Sequence, residues 1–388
     1  MTASTFASSA DEGRQPQTAI QSDASRKQYI VGPVFDLLFV CGGFTAILTL
    51  LYFWPPLRNI IGPSADRYSA ALLFAGTYLL SQPHLGASLR RLYGEPENFA
   101  KHRQVAVALP LLMLVSLLVA LRLLGPILTM ECLTRVYMIF IVHHVLAQSY
   151  GIALMYCGRS AFVMKAFEKQ LFKNILYLAV AVAVIGQYTG GYDFSLATGA
   201  VAASTASAFT PSAFTPSNGL HLPLNFLQAT IAALMVQVFC FASTQLQRGA
   251  LGEKTMPLPA VIVMLVSLVA VVLSQAVDNN FWIFIPAFFH ASQYLAVVLA
   301  YKWKDYKLSQ AKSENKLQPI IAFAASELHG YFLIGLTLSV AVPCLLFVSG
   351  LRAVDPFKLM FLLFSLHHFA TDACLWKLRQ PRVQERLV

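Results

Sequence analysis

The stretch LPAVIVMLVSLVAVVLSQAV, which runs from Leu258 to Val277, decides the fold class because it contains no charged residue. An α-helix rises about 1.5 Å per residue, so a segment of this length crosses the roughly 30 Å hydrocarbon core of a bilayer. The stretch from Leu222 to Ser243 is equally free of charge. The whole chain is 57% hydrophobic and only 12% charged, with a mean hydropathy of +0.62. These features predict an all-α, polytopic integral membrane protein.

About ten segments fit this description, and we place them at 34–54, 68–92, 104–124, 133–156, 175–195, 222–244, 257–277, 281–301, 319–349 and 356–376. If both termini lie in the cytoplasm, 22 of the 28 Lys and Arg residues fall on the cytoplasmic side. Cytoplasmic loops of membrane proteins carry such an excess of positive charge. The net charge of +10 therefore indicates membrane topology rather than nucleic-acid binding. We expect a bacterial inner (plasma) membrane protein that does not bind nucleic acid.

The sequence predicts one folded domain. Residues 1–30 are rich in Ser, Thr, Ala and Gln without an apolar core, so we expect a disordered cytoplasmic tail. Residues 31–388 form a single transmembrane helical domain in this interpretation. Its uncharged stretch at about 197–218 predicts a flexible loop on the non-cytoplasmic side. The six cysteines are scattered without a CxxC pair and are interpreted as small apolar fillers.

Seven of the nine histidines lie inside the predicted spans: His84, His143, His144, His290, His329, His367 and His368. Counted from the flanking basic residues, they fall about 9–22 Å from the cytoplasmic ends of their helices. Ionisable side chains are costly in hydrocarbon and mark functional sites, although a single histidine often only bonds a neighbouring helix. Seven histidines at a similar depth in the bilayer predict a metal site.

Adjacent histidines diverge by about 100° on a helix, so one of each pair should point inward, and the spacing leaves open which one. We favour His84, His144, His290 and His368 as the ligands. Gln148, Tyr294 and Asp372 each lie four residues after one of these histidines, on the same helix face. They are the predicted catalytic residues, which hold the imidazoles or act as further ligands. If His143, His329 and His367 form a second metal position, the site holds two metals.

The predicted cofactor is non-haem iron, which would activate dioxygen for reaction with a hydrophobic substrate from the bilayer. An apolar substrate suits the aromatic residues expected around the site: Phe281, Trp282, Phe284, Phe288, Phe289 and Phe369. An electron donor is a further possible partner. Three alternatives remain open, namely a di-iron lipid hydroxylase or desaturase, a haem-binding protein and a transport protein. The HxxxH and HxxHH boxes of membrane desaturases do not occur in the chain.

Two short boxes resemble those of one family. The stretch Gln82-Pro83-His84-Leu85-Gly86-Ala87 resembles the Pro-His-Gly-Ala box of the bacteriorhodopsin-related (Brp/Blh-type) membrane β-carotene dioxygenases, with one residue inserted. The stretch Phe288–Tyr294 is similar to their later aromatic-histidine box, with Tyr294 in place of a second histidine. The pair His143-His144 falls where a middle histidine motif is expected. The resemblance implies iron held by His84, by one of His143 and His144, and by His290, and cleavage of a carotenoid.

Overall fold

The computed structural model describes residues 28–53, 56, 65–188, 222–276, 280–310, 319–350, 354–378 and 380–387. These residues form helices joined by short turns, and no strand occurs among them. The predicted all-α class is therefore confirmed. The predicted tail, apart from residues 28–30, and the predicted loop at 197–218 lie outside the described residues.

The α-helices are numbered in chain order: α1 (Pro33–Phe35), α2 (Gly43–Phe53), α3 (Ala65–Tyr93), α4 (Pro96–Lys101), α5 (Leu109–Arg159), α6 (Ala166–Tyr188), α7 (Leu224–Ala250), α8 (Leu258–Ala276), α9 (Asn280–Gln310), α10 (Ile320–Leu336), α11 (Val342–Val348), α12 (Pro356–Leu375) and α13 (Pro381–Leu387). Three π-helical segments extend them: Asp36–Val40, Gln104–Ala108 and Thr337–Ala341.

Helix α5 consists of two arms that meet at Gly125. This residue has φ 76 and ψ 170, a backbone conformation that glycine adopts without steric cost, and Pro126 follows it. Met113 from the first arm and His143 from the second line the same cavity, so the arms fold back towards each other. The predicted spans 104–124 and 133–156 correspond to these two arms. The predicted loop between the two spans is absent, because the helix is interrupted only by the kink at Gly125.

Four helical segments are long and apolar enough to cross a membrane: Gln104–Arg159, Ala166–Gly186, Leu224–Ala250 and Ile320–Val348. On the first of these segments many apolar side chains face outward, as Leu123 and Ile127 show with 76% of each exposed. A soluble protein rarely exposes apolar residues in such continuous stretches. The fold thus has the surface of a membrane-associated protein. The number of ten spans remains a prediction.

Helices α3 and α10 cross in very close contact because glycines lie at the crossing. A Cβ atom on Gly86 would lie 1.9 Å from the carbonyl oxygen of Tyr331, and one on Gly335 would lie 2.1 Å from that of Gln82. Small residues allow this approach between helices in membranes. Gly86 lies two residues after His84, so the crossing also fixes where α3 places His84.

The N-terminal segment holds α9 in place. The buried carboxylate of Asp36 accepts hydrogen bonds from the backbone N–H of Ile30 at 2.6 Å and from the Tyr156 hydroxyl at 2.8 Å. Gly42, with φ 88, follows the π-helical segment and packs directly against the Phe289 ring. Helix α9 also packs against α3 and α5, and α12 packs against the same two helices. Helices α3, α5, α9 and α12 therefore surround one central volume.

A candidate metal centre

Four histidines from four different helices converge in this central volume. His84 lies on α3, His144 on α5, His290 on α9 and His368 on α12, and all four are buried. One ring nitrogen of each lies within 4.8 Å of one ring nitrogen of every other. Four nitrogen atoms at this spacing could hold one metal ion, because an ion coordinated at about 2 Å bridges atoms separated by 3–4 Å.

The four rings form a crossed arrangement. The rings of His84 and His144 are nearly parallel, with centroids 6.5 Å apart. His368 lies edge-on to both, with centroids 4.4 and 5.0 Å away, and His290 lies edge-on to both at 4.7 Å. The imidazoles thus enclose the site from four directions.

The ring nitrogens lack hydrogen-bond partners. Both nitrogens of His290 and of His368 are buried without a partner among the described residues, and so are the Nε2 atoms of His84 and His144. A buried polar atom without a partner costs about 1–3 kcal/mol, so native proteins rarely leave several of them together. Imidazole nitrogens are also common metal ligands. The donor set therefore fits a metal ion.

Asp372 adds a carboxylate to the edge of the cluster. Its Oδ1 atom accepts hydrogen bonds from the Ser88 hydroxyl at 2.7 Å and from the Tyr294 hydroxyl at 3.0 Å. Its Oδ2 atom has no hydrogen-bond partner and lies 3.5 Å from Nε2 of His368 and 3.8 Å from Nε2 of His144. The carboxylate is held on one side and presents its other oxygen to the imidazoles.

Tyr294 links this carboxylate to the end of α12. The ring of Tyr294 lies edge-on to His84 with centroids 4.2 Å apart, and its hydroxyl accepts a hydrogen bond from Trp376 Nε1 at 3.2 Å. The sequence analysis did not select Ser88 or Trp376. Each lies four residues after a selected residue, His84 and Asp372 respectively, so helical spacing could have identified them.

Gln148, predicted to hold an imidazole or to act as a further ligand, donates its hydrogen bonds to α9. Its side-chain amide donates to the His290 carbonyl oxygen at 3.1 Å and to Gln293 Oε1 at 2.9 Å. Gln293 in turn donates to the Val40 carbonyl oxygen at 2.8 Å. Gln148 thus joins α5 to α9 through its amide nitrogen, and it lines the same cavity as His144.

The other three predicted ligands lie apart from the cluster. His143 is exposed and lines a cavity, and His329 is exposed on α10. The Nε2 atom of His367 lies 3.2 Å from the Tyr93 hydroxyl and 3.1 Å from the Val105 carbonyl oxygen. The histidines of each adjacent pair point to different sides of their helix. Among the described residues, the structure does not bring these three histidines into a second metal-binding group.

A cavity of ≈ 520 Å³ adjoins the cluster between α5, α9 and α12. His144, Tyr294 and Asp372 form its inner wall, and Phe369 stacks on His144 with centroids 4.5 Å apart. The remaining wall is mainly apolar, and the 51% exposed Phe140 lies at its outer side. A ligand of small-molecule size would fit, since such sites measure about 300–1,000 Å³.

The expected aromatic wall is present only in part. Phe369 lines the cavity, whereas Phe288 packs near Gly76 and Phe289 packs against Gly42. The side chains of Phe281, Trp282 and Phe284 lie outside the described residues. These positions were predicted from aromatic density alone, which does not specify the rotation of the helix.

A second cavity of ≈ 860 Å³ is lined by Arg90, Tyr93, Thr337 and His367 together with apolar residues of α3, α5, α10 and α12. None of the four clustered histidines borders it. The smaller cavity is therefore the candidate substrate pocket, despite its lower volume.

Comparisons with protein-family models, with curated proteins and with solved structures found no match. The fold and the site alone define the class: an all-helical protein with four membrane-length apolar helices and a buried four-histidine group that could hold a metal ion.

Proposed function

We propose that this protein is a membrane-embedded, histidine-ligated non-haem iron oxygenase that acts with dioxygen on an apolar lipid or carotenoid-like substrate. One observation carries the proposal. Four buried imidazoles whose nitrogens lack partners converge at the inner end of a mainly apolar cavity. A structural metal site would not need a cavity that reaches its ligands.

The donor chemistry favours iron. Mixed sets of imidazole and carboxylate are typical of non-haem iron, and a bound iron would activate dioxygen, which is the oxidant of the substrate. His84, His144, His290 and His368 would hold the metal. Asp372 would either complete the ligand set through Oδ2 or accept a hydrogen bond that orients His368.

The other residues at the site would bind the substrate and exclude water. Phe369 shields one face of His144, and Tyr294 covers His84. The cavity wall at Phe140 is exposed on the apolar surface of α5, which would allow a hydrophobic substrate to reach the site from the bilayer. Held beside the metal, the substrate would react in a fixed orientation and away from bulk water.

The resemblance to the bacteriorhodopsin-related carotene dioxygenases supports the same ligands. His84 and His290 come from the two similar boxes, His144 comes from the pair at the expected place of the middle motif, and all three lie together in the cluster. His368 is a fourth ligand that no similar box suggests, and Tyr294 stands where that family has a second histidine. Carotenoid cleavage is therefore one of the reactions that we propose.

Two alternatives have less support. A di-iron hydroxylase needs a second group of ligands, and none is present among the described residues. A haem needs a flat slot between its axial ligands, whereas here the four rings pack with centroids 4.4–5.0 Å apart for each crossed pair. A monooxygenase reaction would further require an electron donor on the cytoplasmic side.

We propose a bacterial inner (plasma) membrane as the location, with about ten spans and cytoplasmic termini. The apolar helices and the excess of positive charge on one side support this topology.

Elemental analysis and an absorption spectrum of protein purified in mild detergent test the proposal. We expect about one iron per chain without an intense Soret band, because one four-histidine group holds one ion. A Soret band would indicate haem. Zinc or copper in place of iron, or no metal after gentle purification, would contradict the oxygenase. Oxygen consumption with apolar lipids then tests the reaction itself.

A further inference from the structure

Most polar side chains that line the ≈ 520 Å³ cavity are already engaged. The polar members of its wall are His143, His144, Gln148, Tyr294, Asp372 and Trp376. His144 and Asp372 belong to the candidate metal centre. The Tyr294 hydroxyl donates to Asp372 and accepts from the Trp376 indole. His143 is exposed, so its ring is not confined to the cavity, and Gln148 remains as the polar group of the wall outside the centre.

Hydrogen bonds fix which way the Gln148 amide is turned. Its Nε2 atom faces two acceptors, the His290 carbonyl oxygen at 3.1 Å and Gln293 Oε1 at 2.9 Å. The Gln293 amide is fixed in turn, because its Nε2 atom donates to the Val40 carbonyl oxygen at 2.8 Å and its Oε1 atom accepts from Ser149 at 3.3 Å. Turning either amide by 180° would place two acceptors against each other. The atom of Gln148 that stays free is therefore its oxygen.

This oxygen is an acceptor without a donor. Oε1 of Gln148 receives no hydrogen bond from a described residue. The neighbouring wall positions of α5 are the small residues Ala147 and Gly151, and a Cβ atom on Gly151 would meet nothing within 4 Å. An acceptor that borders mainly apolar space costs free energy until a donor pairs with it. A hydroxyl group would supply that donor, whereas a ketone, an ether or a carboxylate would not.

Gln148 lies near the middle of the cavity. The α5 residues of the wall run from Phe140 to Met155, about 22 Å at a rise of 1.5 Å per residue. Gln148 is one helical turn after His144, and its amide bonds to the backbone of His290. It therefore adjoins two of the four clustered histidines. A hydroxyl group held there would lie within the length of an elongated ligand and close to the metal centre.

We propose that Gln148 accepts a hydrogen bond from a hydroxyl group of an elongated apolar substrate and thereby selects an uncharged alcohol over the matching ketone. The proposal rests on the proposed function and deepens it, because it names the substrate class of that site. Gln148 is then a specificity-determining residue rather than a metal ligand. The carbon atoms next to the hydroxyl group would be those held beside the histidines.

Binding of hexadecan-8-ol and hexadecan-8-one to the full-length protein in lipid nanodiscs tests the proposal. The two ligands share one carbon skeleton and both accept hydrogen bonds, but only the alcohol donates one. We expect the alcohol to bind about tenfold more tightly, since an acceptor left without a donor costs on this scale. Equal affinities, or tighter binding of the ketone, would overturn the proposal, and this comparison needs no variant.

Two variants assign the preference to Gln148. Gln148→Met has a side chain of similar length without the amide oxygen, and it should bind the two ligands equally. Ser149→Ala is the matched control, because it removes a hydrogen bond of the same network from a residue that does not line the cavity, and it should keep the tenfold preference. A preference that persists in Gln148→Met would overturn the proposal.

Chelator-treated protein separates this site from the metal. We expect the preference for the alcohol to survive removal of the metal, because Gln148 is held by α9 and not by the ion. A preference that disappears with the metal would assign the hydroxyl group to the metal centre and overturn the role of Gln148. Metal analysis tests the iron by itself, so a protein without iron that still prefers the alcohol would contradict the oxygenase and leave the hydroxyl site in place.

Discussion

The Oδ2 atom of Asp372 lies 3.5 Å from the Nε2 atom of His368, one helical turn earlier on α12. Neither atom has a hydrogen-bond partner among the described residues. A carboxylate and an imidazole four residues apart on one helix thus face the same point, where three further imidazoles converge. A cation at this point would compensate the carboxylate charge and occupy the free imidazole nitrogens.

His290→Ala should abolish metal binding while the protein remains folded. Both ring nitrogens of His290 lack other partners, so the substitution removes a ligand and breaks no hydrogen bond of the ring. We expect metal affinity to fall by more than the roughly 10–100-fold that loss of an outer-shell partner costs. Elemental analysis checks this result, with His329→Ala on the exposed face of α10 as the control that should retain metal. Stoichiometric metal in His290→Ala would remove this residue from the site.

Ser88→Ala should weaken metal binding without removing any ligand. The Ser88 hydroxyl donates to Asp372 Oδ1, so its loss frees the carboxylate to rotate away from the imidazoles. We expect a decrease of about 10–100-fold in metal affinity, measured by competition with a chelator. Ser292→Ala is the matched control, because the Ser292 hydroxyl donates only to the Phe289 carbonyl of its own helix. Similar affinities in the two variants would show that Ser88 does not position the carboxylate.

Gly86→Ala should destabilise the fold, whereas Gly151→Ala should not. The new methyl group at position 86 would lie 1.9 Å from the Tyr331 carbonyl oxygen, while nothing lies within 4 Å at position 151. Because backbone cannot move aside easily, we expect a loss of about 1–3 kcal/mol or more for Gly86→Ala. The control should gain up to about 1 kcal/mol from helix propensity. Thermal unfolding in detergent measures both, and equal midpoints would contradict the close crossing of α3 and α10.

Ala147→Phe should reduce turnover of an apolar substrate while metal content stays normal. Ala147 lines the cavity, so a phenyl ring there would occupy space that the substrate needs. We expect kcat/KM to fall by about tenfold or more, the scale of a lost apolar binding contact. Val115→Phe enlarges an exposed side chain that does not line the cavity and serves as the control. Unchanged kinetics in Ala147→Phe would assign the substrate to another part of the protein.

Cys374→Ser should have almost no effect on metal content or activity. Cys374 is a free, half-buried cysteine of α12, and its backbone carbonyl oxygen, not its thiol, accepts a hydrogen bond from Gln380 at 3.0 Å. We expect a stability change of no more than about 0.5 kcal/mol, as for most substitutions away from packed or functional positions. Loss of iron or activity in this variant would contradict the interpretation of the cysteines as fillers.

Helical spacing was sufficient to select several residues of the centre. It gave Asp372 from His368 and Tyr294 from His290, because residues four apart share a helix face regardless of what packs there. The same rule did not distinguish His143 from His144 by itself. That distinction depends on how α5 is rotated about its axis, which neighbouring helices decide. Gln148 shows the limit of the rule, since it shares a face with His144 but bonds to the backbone of α9.

The sequence by itself determined the helical class and the apolar stretches, and it predicts a depth for each histidine, because these depend on composition and on a rise of about 1.5 Å per residue. Only the tertiary structure decided which histidines meet, that three others lie apart, and that Ser88 and Trp376 complete the hydrogen bonds around Asp372 and Tyr294. The physical reason is that helix rotation and separation are set by contacts between distant segments. The crossing of Gly86 with the Tyr331 backbone is one such contact, and it brings His84 to its place beside histidines that are distant in the sequence.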